Sequence, residues 1–261
     1  MITTNFWVDL FFTVLLRIAL WTLYLNLNKL PPIIRHIDEE ELWYYRYPSL
    51  DSIVPTTYLY LIMICVPTMI FAIHYLCQYK DERTAADILN GVNGLTLAYC
   101  LNGLFSGAMK ITIGRPRPNF YLRCFPDGYG TDLEKCVGAY HGQMDGRKSF
   151  PSAHSSFVFT GMIYMMLYIY HYYDFRKPRA FRSYIVVLTA MLPLTAILVS
   201  VSRTADYHHH YSDVIGGALL GTIIAATMQH IYCRMDDDEA LDMRRRLLHF
   251  PDPVVVVKVE K

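Results

Sequence analysis

Five stretches of this chain run for twenty residues or more without a single Asp, Glu, Lys or Arg: Ile53–Leu76, Ile88–Met109, Ala153–Tyr173, Ser183–Ser202 and Val214–Cys233. Coiled as helices, each is long enough to cross a bilayer core of ~30 Å. A sixth stretch, Phe6–Leu25, carries Asp9 and Arg17. These lie eight residues apart, roughly on one helical face, and are expected to look into a bundle instead of at lipid. A 53% hydrophobic composition would suit a soluble domain of 261 residues equally well, so it is the grouping that decides. The expected fold class is all-α: a polytopic membrane protein whose six transmembrane helices form one domain over residues 1–235.

No basic residue precedes Arg17, and Leu25-Asn26-Leu27-Asn28 is no small-residue cleavage site, so the first stretch is expected to be a retained helix. Six spans put both chain ends on one side. That side carries twelve Lys and Arg against eleven on the other, and seven of the eleven fall in the loop from Lys110 to Lys148. If the loop keeps its cations for chemistry, the remaining balance is twelve to four, which puts the termini in the cytoplasm. The 110–152 and 202–213 connections then face the lumen or the exterior. Residues 236–261, with Asp236-Asp237-Asp238-Glu239 and Arg244-Arg245-Arg246, read as a cytoplasmic tail. A net charge of +1 with no basic stripe gives no reason to expect nucleic acid as a partner.

Of six cysteines, Cys65 and Cys100 fall inside apolar runs and read as small core residues, and Cys77 and Cys233 sit at run edges. Cys124 and Cys136 alone share a polar loop and are the candidate disulfide. The pairs Gly103/Gly107 and Gly217/Gly221 have the spacing of close helix packing within a bundle.

Three polar clusters stand at run boundaries, and six spans would bring all three to one face. The first, Lys110 to Pro118, contains Lys110 and Arg117 seven residues apart, two turns of a continued helix. An ammonium plus a forked guanidinium suits a phosphate monoester, although basic residues at a helix end also snorkel towards headgroups. The second, Phe150-Pro151-Ser152-Ala153-His154, opens the fourth run as a helix start. There the free N–H groups and the Ser152 hydroxyl favour an anion, with His154 beside it. The third runs from Ser202 to Asp213. His209 and Asp213 are four apart, so the carboxylate can hold one imidazole nitrogen protonated and leave the other nucleophilic, while Arg203 adds a third cation. His208, His209 and His210 with two aspartates compete as a metal site. Adjacent histidines diverge, however, and no HxxxH or HExxH spacing accompanies them, so no metal or cofactor is expected.

These residues resemble the type 2 phosphatidic acid phosphatase (lipid phosphate phosphatase) superfamily, with its signature K-x6-R-P, P-S-G-H and S-R-x5-H-x3-D. The three read here as Lys110…Arg117-Pro118, Pro151-Ser152-Ala153-His154 and Ser202-Arg203…His209…Asp213, with Ala153 where the family usually has glycine. The segments Glu41–Arg46 and Gly114–Gly128 resemble the branch of animal phospholipid phosphatases 4 and 5 and the fungal diacylglycerol pyrophosphate phosphatase. The likeness covers roughly residues 40–235.

The resemblance implies a metal-independent, two-step hydrolysis of phosphatidic acid, lysophosphatidic acid or diacylglycerol pyrophosphate at a membrane surface. It makes His209 the nucleophile, Asp213 its support and His154 the acid for the leaving alkoxide. Lys110, Arg117, Ser152, Ala153 (through its N–H) and Arg203 would hold the phosphoryl oxygens. Two rivals share this site: a catalytically weak, lipid-binding member and a lipid phosphotransferase. The headgroup, the organelle and the oligomeric state are left open by the sequence.

Overall fold

The computed structural model describes residues 6–78, 83–130, 132–133, 135–173 and 182–233. The proposed tail at 236–261 lies outside them, as do several of the basic residues in the charge balance. Among the described residues every regular element is helical. The long helices are α1 (Phe6–Lys29), α2 (Thr56–Gln78) and α3 (Thr84–Ile113). The short helices α4 (Phe120–Cys124) and α5 (Tyr140–Gly146) stand in the loop that follows. After them come α6 (Ala153–Tyr172), α7 (Arg182–Ala205) and α8 (Tyr211–Cys233), and a 3-10 helix, Glu39–Tyr45, lies between α1 and α2.

Four helices are long and apolar enough to cross a membrane: Trp7–Lys29, Thr56–Gln78, Arg182–Ala205 and Tyr211–Tyr232. The expected count of six is met to that extent. α3 and α6 are not among these four, and both lie at the centre of the bundle. α6 packs on α8, α7, α3 and α2, and α3 packs on α8, α1, α6 and α2. Shielded by neighbours, they can carry buried Asn90, Asn102, Ser106, Ser155, Ser156 and Thr160, where a lipid-facing helix needs apolar side chains. The core around them joins Leu95, Phe157, Met162, Tyr164, Met165 and Tyr168 to Leu192 and Ala225. Outward faces of α1, α2 and α7 carry exposed Phe11, Leu16, Ile64, Leu76, Leu188 and Leu198. Large exposed aliphatic faces of this kind belong in hydrocarbon, and the chain is an integral membrane protein.

The glycine pairs lie on packed helix faces. A methyl at Gly217 would lie 2.6 Å from the Ser152 carbonyl oxygen, and one at Gly221 would collide with the Ser156 carbonyl, so α8 lies backbone to backbone against α6. Gly103 and Gly107 face the Tyr24 ring of α1. Arg17 turns into the bundle as expected, donating to Thr96 Oγ1 at 2.9 Å and Asn93 O at 2.7 Å on α3. Asp9 does not: it is exposed in the first turn of α1, where a carboxylate meets the helix dipole favourably. Cys100 is buried, whereas Cys65, expected in the core, is exposed on α2.

Candidate active site

The ends of α3, α6, α7 and α8 meet at one end of the bundle. α3 stops at Ile113 because Gly114 takes the left-handed conformation (φ 61°), and a side chain there would strike the Ile33 carbonyl. Lys110 and Arg117 therefore do not share one continued helical face. Arg117 comes back through a Pro-flanked turn, and its N–H bonds Gly146 O at 2.8 Å. Lys110 does not snorkel: it is buried and donates to Lys148 O at 2.9 Å. Arg117 donates through Nε and Nη2 to the backbone oxygen and the carboxylate of Asp145, both at 3.1 Å, and Arg123 takes the other carboxylate oxygen at 2.8 Å. Arg203, at the end of α7, pairs with Asp206 at 2.8 Å, while its Nε is buried without a partner.

Ser152 caps α6, its Oγ accepting from Ser155 N at 3.5 Å. Ala153 and His154 follow with the N–H groups that a helix start leaves without an intrahelical carbonyl, and both side chains remain partly accessible. His154 Nε2 and Arg203 Nη1 meet the same acceptor, Val54 O, at 3.1 and 3.3 Å. The charges of Arg203, Lys110 and Arg117 act on His154, and those of Arg117 and Lys110 act on His209. Three cations thus lie within electrostatic reach of His154, at the start of α6, and two of them within reach of His209.

The three consecutive histidines turn to three different partners. His208 Nδ1 sits 2.9 Å from Asp206 Oδ1. His210 stacks on Tyr44 with centroids 4.5 Å apart, and its Nε2 lies 3.2 Å from Pro116 O. His209 Nδ1 faces Asp213 Oδ2 at 3.7 Å and Ser149 Oγ at 3.4 Å. An aspartate at hydrogen-bonding distance thus belongs to His208, and spacing to Asp213 alone does not single out His209. The charges of Arg117 and Lys110 act on the His209 ring. Among the described residues no group of three His, Cys, Asp or Glu side chains is arranged to hold a metal ion.

Asp213, fully buried in the first turn of α8, is well supplied with donors. Arg115 Nη1 reaches Oδ1 at 2.6 Å, and Oδ2 receives the Ser149 hydroxyl at 2.5 Å and the His210 N–H at 3.0 Å. Its carbonyl accepts from Ser152 N at 2.9 Å, tying the second motif to the third. Burial pushes the His209 pKa well below the usual histidine value, and the nearby cations push the same way. Burial alone would raise the Asp145 carboxyl, but Arg117, Arg123 and Lys110 hold it down at about 2.

Arg115, Ser149, Asp145 and Asp206 carry much of this network and were not singled out by spacing. Arg115 stands inside the first cluster, so its doubling with Arg117 was a usable signal. A lone Ser149 and the two aspartates carry no such pattern. Cys124 and Cys136 form a disulfide with Cα atoms 4.5 Å apart, closing the loop beside this site.

The PAP2 superfamily model matches residues 91–235, which hold every one of the motif residues above. The chain belongs to the PAP2 superfamily. Among its relatives within the superfamily, lipid phosphate phosphatase 2 of Arabidopsis thaliana is 35% identical over 220 residues, covering 81% of this chain and 73% of the relative. Lipid phosphate phosphatase 1 of the same plant is 34% identical over 222 residues, 81% of this chain and 64% of its own length, just under two thirds. Diacylglycerol pyrophosphate phosphatase 1 of Saccharomyces cerevisiae is 36% identical over 156 residues, 56% of this chain and 53% of the relative. No solved structure matches significantly.

Proposed function

We propose that this PAP2 member is a lipid phosphate phosphatase that hydrolyses phosphatidic acid, lysophosphatidic acid or diacylglycerol pyrophosphate without a metal ion. The observation that carries the reading is the position of His209, buried beside Lys110 and Arg117 with a carboxylate behind it and a helix start in front. The relatives named for lipid phosphate and diacylglycerol pyrophosphate supply the substrate class.

In the first step His209 Nε2 attacks phosphorus. The new P–N bond forms as the P–O bond to the leaving group breaks, and protonated His154 gives its proton to the departing oxygen: an alkoxide, which otherwise leaves poorly at neutral pH, from the monoesters, or a phosphate oxygen of phosphatidate from the diphosphate. Val54 O holds the Nε2–H of His154, leaving Nδ1 to exchange that proton. Lys110, Arg117, Arg203, the Ser152 hydroxyl and the N–H of Ala153 spread the phosphoryl charge. A water molecule then attacks the phosphohistidine, giving its proton back to His154 and releasing orthophosphate. Asp145 and Asp206 hold Arg117 and Arg203 in place until the phosphate arrives.

The same reading takes α3 and α6 as membrane-spanning at the centre of the bundle, for six spans. α6 has 20 residues, a rise of ~30 Å that matches the hydrocarbon core. It also orients the site to the lumen or exterior and the termini and tail to the cytoplasm. The charge balance supports this, as does the disulfide at the catalytic end, since such bonds persist in oxidising compartments.

The test is phosphate release from a panel of phospholipids by purified protein in detergent with excess EDTA. Release should persist with chelator and stop in His209→Ala together with acid-labile phosphoenzyme. Activity lost in EDTA and restored by magnesium, or phosphoenzyme retained in His209→Ala, overturns the mechanism.

A further inference from the structure

Asp213 faces His209 at 3.7 Å, longer than a direct hydrogen bond. Its oxygens are meanwhile engaged by Arg115 Nη1 at 2.6 Å, the Ser149 hydroxyl at 2.5 Å and the His210 N–H at 3.0 Å. One of those donors, Ser149, also approaches the imidazole: its Oγ lies 3.4 Å from His209 Nδ1 and is fully buried.

We propose that Ser149 is a positioning residue for the nucleophile, its hydroxyl carrying the orienting effect of Asp213 to Nδ1 of His209. The inference rests on the proposed role of His209. A hydroxyl has one proton, and an ionised carboxylate can only accept. At 2.5 Å from Asp213 Oδ2, Ser149 therefore spends its proton on the aspartate. Towards His209 it presents lone pairs alone, so it accepts from Nδ1–H. That fixes the tautomer: Nδ1 carries the proton and Nε2 keeps the lone pair needed for attack on phosphorus. Arg115 from one side and the His210 N–H from the other prevent the carboxylate from rotating away, so the hydroxyl stays aimed. The Ser149 hydroxyl bonds Asp213 and approaches His209, not the cations of the cradle, so its loss should spare substrate binding.

Two measurements test this in the full-length protein in detergent. The first is the rate of phosphohistidine formation from radiolabelled phosphatidic acid in Ser149→Ala, Asp213→Asn and the double variant. Ser149→Ala should slow it about ten- to a hundredfold with KM altered less than about threefold, and the double variant should be within about threefold of the slower single, as residues acting in one chain are non-additive. Penalties that multiply, an unchanged rate in Ser149→Ala, or a raised KM at constant kcat would overturn it. The second needs no substitution in the protein examined: NMR of isotope-labelled histidine should find His209 as the Nδ1–H tautomer. An Nε2–H tautomer would overturn the proposal even if Ser149→Ala fails to fold. Absence of phosphoenzyme in the unsubstituted protein sinks the nucleophile reading instead, and the tautomer then decides the role of Ser149.

Discussion

Ala153 is the residue at which this chain departs from the signature it resembles, and its backbone says how much that matters. It opens α6 directly after the Ser152 cap, and among the described non-glycine residues only Tyr207 has a positive φ, 54°. The left-handed conformation that would penalise a methyl group by ~1–2 kcal/mol is therefore not in use at Ala153. Ala153→Gly should change kcat/KM on phosphatidic acid by less than about tenfold, equivalent to ~1.4 kcal/mol. A gain above about a hundredfold would show the methyl obstructing phosphate and favour a catalytically weak lipid binder. Ser152→Ala should cost more, because it removes the helix cap, typically ~1 kcal/mol, together with a hydroxyl at the site. For His209 the sign of the pH effect follows from burial, which disfavours the charged ring. Its folded pKa lies below the unfolded value, so acidification below ~6.5 favours the unfolded chain, where the ring takes up a proton. In the folded, substrate-free protein, histidine NMR should show His209 still neutral in a pH range where exposed histidines have become protonated. A ring titrating near the ordinary value would contradict the buried setting.

At the scale of elements, the active site depends on how closely α8 can approach α6. Gly221→Val would push a branched side chain into the Ser156 carbonyl, and overpacking of this sort costs ~1–3 kcal/mol. Thermal unfolding in detergent should register a clear fall in Tm, and an unchanged Tm would mean that the helices separate without cost. The sequence made this pairing partly readable, since two glycines four residues apart mark a smooth face without naming the helix it meets. The long uncharged runs were readable for a similar reason: membrane thickness imposes a length that can be counted along one dimension. The buried α3 and α6 were harder to classify, because their neighbours shield Asn102 and Ser156 from lipid and relax the demand for apolar residues. Lys110, His154, Arg203 and His209 could be picked out as candidates because each lies in a polar cluster at the boundary of a long uncharged run. Ser149, Asp145 and Asp206 could not, because their meaning arises only when loops far apart in sequence fold onto the cradle. The spacing of Lys110 and Arg117 predicts one helical face, but Gly114 turns the chain between them.

For the whole molecule, the proposed orientation can be tested at a position that tolerates bulk. Gly142, in α5, has open space around it. Replacing Gly142→Asn with Met144→Ser writes an N-glycosylation acceptor into this loop. In a eukaryotic membrane system it should acquire a glycan, whereas an acceptor added to the C-terminal tail should not; the reverse pattern would invert the topology. Mass spectrometry after rapid alkylation should also find Cys124 and Cys136 joined, and two free thiols would place that loop in a reducing compartment. A further consequence concerns Val54, whose carbonyl is the common acceptor of His154 and Arg203. It precedes the segment matched by the superfamily model, as do Asn28 and Arg35, whose carbonyls receive Lys148 and Arg147. A recombinant fragment cut to residues 91–235 would thus keep every signature side chain and still lose the backbone rests on which four of its basic groups lean. A fragment that keeps these four contacts has to begin upstream of Asn28, well outside the boundaries its motifs would suggest.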